Sequence, residues 1–159
     1  MIGYLSQTGM ESVFRQWAQS DPNINSFGFG QFYNVNGEPR ASQKYAGMWV
    51  QPSSTSVDEW TIRRSYQIMI YDLVFEDESG GNQNSVVSDC EEIGFRLIRF
   101  LRGKSEIFNV VGSPTITPLS DQFFDRVSGV LVDIEVEFNG ESSDCNDPDY
   151  NFNITQNDI

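Results

Sequence analysis

The chain has 159 residues, a net charge of −13 from 23 acidic and 10 basic side chains, and no histidine. The missing imidazole removes Ser-His-Asp and Cys-His catalysis, the common histidine zinc sites and the usual general base near neutral pH. The negative charge disfavours tight nucleic-acid binding, which needs Lys and Arg to displace counterions from phosphates.

A hydrophobic content of 38%, with 13% aromatics, is enough for one folded core. No apolar run approaches the roughly 20 residues of a bilayer span. The start, Met1-Ile2-Gly3-Tyr4-Leu5, lacks the basic region and apolar stretch of a signal peptide. A soluble, unexported protein without a membrane partner is therefore expected. Cys90 and Cys145 make no disulfide framework and fit a reducing compartment.

In chain order, Thr8-Gly9-Met10-Glu11 reads as a capping box opening a first helix. Met10, Val13, Phe14 and Trp17 follow on one face, and Asp21-Pro22 ends it. From Ile24 to Val35 the pattern alternates as in a strand, with Gly28 and Gly30 leaving room for close approach. Asn36-Gly37 signals a turn. Tyr45 to Val50 reads as a second short strand, closed by Gln51-Pro52 and a loop at Ser53-Ser54-Thr55-Ser56. The third strand is the longest: Trp60, Ile62, Tyr66, Ile68 and Ile70 share one face, with Arg63, Ser65 and Gln67 opposite.

After an acidic, glycine-containing loop from Glu76 to Gln83, the spacing of Val86, Val87, Cys90, Ile93, Gly94, Leu97, Ile98 and Leu101 predicts a helix. Ser88 with Glu91 would cap it, unless the start lies a few residues earlier, and Gly103 would stop it. Acids at its start and Arg96, Arg99 and Arg102 towards its end complement the helix dipole. Glu106 to Val111 reads as a fourth strand, and Thr115 to Leu119, between prolines, as an extended edge or loop. Val130, Val132, Ile134, Val136 and Phe138 form the apolar face of a last strand. Beyond Gly140 the chain loses its period. The fold expected is α+β: an antiparallel or mixed sheet of about five strands with two helices on one face. Residues 1–140 form this domain and 141–159 an acidic arm. Short loops would make the first three strands antiparallel neighbours.

Candidates for chemistry are few. Asp133, Glu135 and Glu137 place three carboxylates on one strand face, which would suit a cation or an acid–base pair. Such alternation is more commonly the solvated face of an antiparallel strand. Asp144, Asn146, Asp147 and Asp149 lack the glycine and terminal glutamate of a calcium loop. Phe27-Gly28-Phe29-Gly30 is not a phosphate loop, because no third glycine opens a helix. Arg63, Arg64, Arg96, Arg99, Arg102 and Lys104 are scattered over a strand and a helix. No catalytic, cofactor or metal site is expected. Competing readings are a small acidic carboxylate-dependent hydrolase and a monomeric binding module whose arm folds on a partner.

Several segments in a fixed order resemble the tail-terminator, or tail-completion, proteins of tailed phages. They are the helix ending at Asp21-Pro22, Ile24 to Gly30, Tyr45-Ala46-Gly47-Met48-Trp49-Val50-Gln51-Pro52 and the strand ending Ile70-Tyr71-Asp72-Leu73-Val74. The Glu76-Asp77-Glu78 loop before Ser88-Asp89-Cys90 follows, then Phe123-Phe124-Asp125-Arg126-Val127-Ser128-Gly129 before the last strand. Together they cover roughly residues 10–140.

The resemblance implies a structural virion subunit, made in the host cytoplasm, that forms a six- or twelve-fold homo-oligomeric ring at the head–tail junction. Portal or connector and tail proteins are its neighbours, and DNA passes through without specific binding. The long tail from Glu141 to Ile159 departs from shorter terminators and favours a neck-ring role. On this reading Trp49, Phe123, Phe124, Arg96, Arg99 and Arg102 serve contacts between subunits or neighbours. Asp133, Glu135 and Glu137, or Glu76, Asp77 and Glu78, line an acidic lumen that repels phosphates.

Overall fold

Local capping decides where the first helix starts. In the computed structural model, which describes residues 6–32, 44–74, 82–122 and 127–139, α1 spans Gln7–Ser20 and its N-cap is Ser6, not Thr8. The Ser6 hydroxyl accepts the Gly9 N–H at 3.0 Å, which meets one of the orphan amides of a helix start. Glu11, expected in a capping box, pairs instead with Arg15 one turn on. Met10, Val13, Phe14 and Trp17 are buried as their spacing predicts.

The strand expected from Ile24 shrinks to β1, Ser26–Phe29, and β2 covers Gly47–Val57. The two are parallel, with Ser26 opposite Gly47 and Phe29 opposite Val50; the expected antiparallel arrangement is overturned. The connection from residue 30 to residue 46 is long enough for the crossover a parallel pair requires. Gly28 lies opposite Trp49, and a Cβ there would sit 2.1 Å from the indole. The bare backbone lets the ring lie over β1. β2 also runs on past Pro52, where a loop was expected, and a register shift between Pro52 and Ser54 marks a bulge. Pro52 is tolerated because β2 is an edge strand beyond β1.

β3, Thr61–Leu73, pairs antiparallel with β2. On its other side it pairs antiparallel with β6, Val127–Asn139, from Thr61 opposite Asn139 to Leu73 opposite Val127. The far edge of β6 carries two short strands, β4 at Asn109–Val110 and β5 at Thr115–Gln122. Between them lie Gly112, at φ 62°, and Pro114. Of the strand expected over Glu106–Val111 only Asn109–Val110 pairs, and Ile107 and Phe108 before it drop into the core. The Thr115 segment is a true strand. The result is a mixed six-stranded sheet in the order β1-β2-β3-β6-β4, with β5 also on β6.

α2 spans Gln83–Arg102, five residues ahead of Ser88. Its N-cap is Asn82, which makes no side-chain capping bond, and Gly103 sits at the C-cap in ordinary right-handed geometry. Its buried face is the expected one with Phe100 added, while Val87 and Ile98 are only partly buried. Both helices cover the same side of the sheet. Phe14, Trp17, Leu97 and Leu101 share one core with Tyr66, Ile68, Ile70, Val130, Val132, Ile134, Val136 and Phe138. The alternation of β3 and β6 sends these residues to one face and everything between them to the other.

Candidate functional site

The sheet face turned away from the helices is divided into a polar and an apolar half. In the polar half, β6 presents Asp133, Glu135 and Glu137, as the period of two dictates. Arg63 lies opposite Glu137 in register. Its Nε donates to Glu137 Oε2 at 2.7 Å, and its Nη1 lies 4.0 Å from Glu135. The Ser65 hydroxyl donates to the other oxygen of Glu135 at 3.0 Å. Asp133 stands between Gln67 and Thr115.

Two of the three carboxylates are therefore engaged on a half-exposed surface. Pairs so placed contribute roughly 0–1 kcal/mol each. Glu135 and Glu137 both turn to the Arg63 guanidinium. Among the described residues, no group of three or more His, Cys, Asp or Glu side chains is placed to hold a metal ion.

In the apolar half, Trp49, Met69, Tyr71 and Val127 are buried, with Phe32, Tyr45, Leu73, Leu119 and Leu131 half-buried around them. The register explains the cluster: Trp49, Met69 and Leu131 stand side by side across β2, β3 and β6. The Trp49 indole N–H donates to the Gly30 carbonyl at 3.0 Å. Tyr45 meets Tyr71 edge to face at 6.0 Å. Trp49, expected to serve contacts between subunits, lies in the strand the sequence predicts but is only 9% exposed in the single chain; its ring is spent on the fold, packed over β1 at Gly28.

The basic residues of α2 lie in the helix layer, on the other side of the sheet from Arg63. Arg96 is bound to Asp21, with Nε to Oδ2 at 3.0 Å and Nη2 to Oδ1 at 3.2 Å. That carboxylate side chain is fully buried, so Arg96 ties α2 to the end of α1. Arg99 and Arg102 are exposed on the last turns of α2. Phe123, Phe124, Glu76, Asp77, Glu78 and the arm from Glu141 lie outside the described residues.

Three exposed apolar side chains were not anticipated as surface: Phe95 on α2, and Val57 and Trp60 at the β2–β3 turn. Phe95 sits one residue after the buried Gly94, a signal that helical spacing does carry.

A cleft of about 280 Å³ lies between α1 and β1, lined by Arg15, Gln19, Asn25, Ser26 and Phe27 among others. The Arg15 guanidinium stacks over Phe27 at 5.5 Å, and Ser26 donates its hydroxyl to the Lys44 carbonyl. None of the β6 carboxylates lines this cleft.

The titrating groups with shifted behaviour are core residues. Burial pushes the Cys90 thiol up to about 12, aided by Asp72 and Asp89. Burial also raises the Tyr66 phenol beyond its usual range, against the opposing charge of Arg64. Tyr66 donates to Gln7 at 2.8 Å. Neither is poised for acid–base work near neutral pH. No helix of the described residues is long and apolar enough to cross a membrane.

Comparison with protein-family models and with curated protein sequences finds no match to this chain.

Proposed function

We propose that this chain is a structural subunit of a tailed-phage particle, a ring protein of the tail-terminator or neck type. It joins connector to tail at the head–tail junction and leaves a channel for DNA. The observation that carries the reading is the set of large apolar side chains that the single chain leaves in solvent, Val57 and Trp60 at the β2–β3 turn and Phe95 on α2, the kind of residue that subunit contacts bury. Trp49, Met69 and Tyr71 on the outer sheet face are already buried within the one chain.

Charge supports the same reading. Arg99 and Arg102 lie in the helix layer, and Asp133, Glu135 and Glu137 lie on the opposite face of the sheet. Opposite signs on opposite sides suit a head-to-tail contact, the kind that closes into a ring by rotation. An acidic inner surface would let DNA slide past.

The test is assembly. The purified chain, alone at micromolar concentration and mixed with connector or tail tubes, is expected to form closed rings by negative-stain microscopy and light scattering. Labelled antibody should mark the junction of intact particles. A chain that stays monomeric and joins neither connector nor tube refutes the proposal. So does a turnover abolished by a single change at Asp133, Glu135 or Glu137.

A further inference from the structure

The outer face of α2 carries a pattern that the core does not use. Ser85, Ser88, Glu92, Phe95, Arg99 and Arg102 recur at alternating steps of three and four residues, and all six are exposed. That spacing draws one stripe along a helix. Phe95 stands in it half-exposed, with an acid one turn before it and bases one and two turns after. The helix dipole accounts for the order of the charges, but not for an aromatic ring between them.

The stripe is complementary to itself when two copies lie antiparallel. Glu92 is three residues before Phe95 and Arg99 four after it. With Phe95 on a two-fold axis, Glu92 of one copy and Arg99 of the other then differ by only about 1.5 Å along the helices. Both lie to the same side of Phe95, about 60° and 40° round the helix, and the two-fold operation keeps that side in common. The two charges therefore meet, and symmetry makes the contact twice. Ser88 and Arg102, seven residues either side of Phe95, come level with each other, hydroxyl against guanidinium. A parallel alignment instead sets Glu92 on Glu92 and Arg99 on Arg99, which repels.

Glu92 has charge to give. Its nearest basic group on the same helix, Arg96, spends its fork on the buried Asp21. Glu92 lies 4.0 Å from that arginine with its side chain 74% exposed, a pairing of little worth in water.

We propose that two copies of this chain pair through α2, antiparallel about a two-fold axis at Phe95, with Glu92 of each copy facing Arg99 of the other. The contact is isologous. One helix face is smaller than the roughly 800 Å² per partner of a stable complex, so the pair is weak and depends on concentration. In one respect the proposal rests on the ring reading. Arg99 and Arg102 cannot face a ring neighbour and a two-fold mate at once, so the pair is the form of the free chain and opens as a ring closes.

The test uses the full chain. Sedimentation equilibrium at rising concentration should show the mass growing from one copy towards two. Glu92→Arg and Arg99→Glu, each alone, should raise the dissociation constant by about tenfold or more, with melting temperatures showing the fold intact. The two variants mixed should pair as tightly as the parent, because each supplies the charge that the other has reversed. Phe95→Cys with Cys145→Ser, oxidised, should link to its own copy, which a two-fold contact allows and a head-to-tail one does not. Cys90 is buried and stays silent.

A single-copy mass at every concentration, without cross-links, overturns the pairing, whether the face stays in solvent or takes another segment of the same chain. Charge variants whose mixture pairs no better than either alone overturn it too. Rings that such a chain still forms on connectors leave the ring reading standing. Glu92→Arg, which keeps Arg99 and Arg102, should join connectors at a lower concentration than the parent; joining no sooner overturns the opposition between the two contacts. A chain that pairs but builds no ring, alone or on connectors and tubes, keeps the pairing and removes the ring reading.

Discussion

Replacing Arg96 with alanine is the most informative single perturbation of this fold. Asp21 closes α1: its N–H donates to the Trp17 carbonyl at 3.0 Å, and its carboxylate accepts the Asn23 N–H at 2.9 Å. The remaining capacity of the carboxylate goes to the Arg96 fork, and the acid side chain has no exposed surface while the arginine keeps 22%. Arg96→Ala leaves a buried anion held by one amide, which costs about 3–5 kcal/mol. At roughly 2–4 °C per kcal/mol for a chain of this size, the midpoint should fall by about 10 °C.

Asp21→Asn behaves differently. It keeps the turn geometry, and Arg96 has water and the exposed Glu92 carboxylate, 4.0 Å away, as substitutes. Its cost should be about 1–2 kcal/mol. The double variant, with no orphan charge, should be more stable than Arg96→Ala alone. Urea unfolding of the four proteins closes the cycle. A loss below about 1 kcal/mol for Arg96→Ala, or a double variant as unstable as the sum of the singles, refutes the reasoning.

Trp17 is fully buried, and its indole N–H has no hydrogen-bond partner among the described residues. Trp17→Phe removes an orphan donor along with some volume, so its stability should lie within about 1 kcal/mol of the parent, against about 3–5 kcal/mol lost in Trp17→Ala; urea titration of both separates them. A Cβ on Gly129 would stand 1.9 Å from the Ile70 carbonyl oxygen, so Gly129→Ala must push β3 and β6 apart and should cost about 2–3 kcal/mol by the same assay. The Cys90 thiol, raised from 9.0 to about 12 in the fold, stays protonated where the unfolded chain has lost its proton. Stability should therefore fall as pH rises from about 9 towards 12. Cys90→Ala should flatten that decline, and native Cys90 should resist alkylation until the chain unfolds.

How far the sequence carried depended on whether a residue's environment was local. The α2 face from Val86 to Leu101 and the alternation of β6 were legible because one helix or one strand contains the whole pattern. The outward row of Asp133, Glu135 and Glu137 followed from the same alternation. Arg64, which continues the apolar face of β3, was not legible as a buried cation: it is 8% exposed and reaches Thr55 of β2 at 3.1 Å, and that partner is set by pairing, not by spacing.

Strand direction failed for a similar reason. Ser26 to Phe29 reads as a strand in either orientation, and only the long connection to Gly47 tells parallel from antiparallel. The second half of β2 was missed because Ser53 to Ser56 carries no apolar alternation; it is a strand by virtue of β3 beside it. The Asp21–Arg96 bond joins residues 75 apart, beyond any periodicity. The apolar half of the outer face was visible only as residues that broke alternation, Met69 and Tyr71 among them.

The place of β6 has a consequence for how the protein comes into being. It is the strand that contacts β3, β4 and β5, yet it is the last of the described strands in chain order. Until Asn139 has left the ribosome, the inner face of β3, with Tyr66, Ile68 and Ile70, has no neighbour on that side. The nascent chain must hold these apolar side chains in water or hand them to a chaperone, because pairings so distant in sequence form slowly. Folding therefore begins in earnest only after translation of the domain is complete, and the yield of soluble chain should respond to growth temperature more than to any surface substitution.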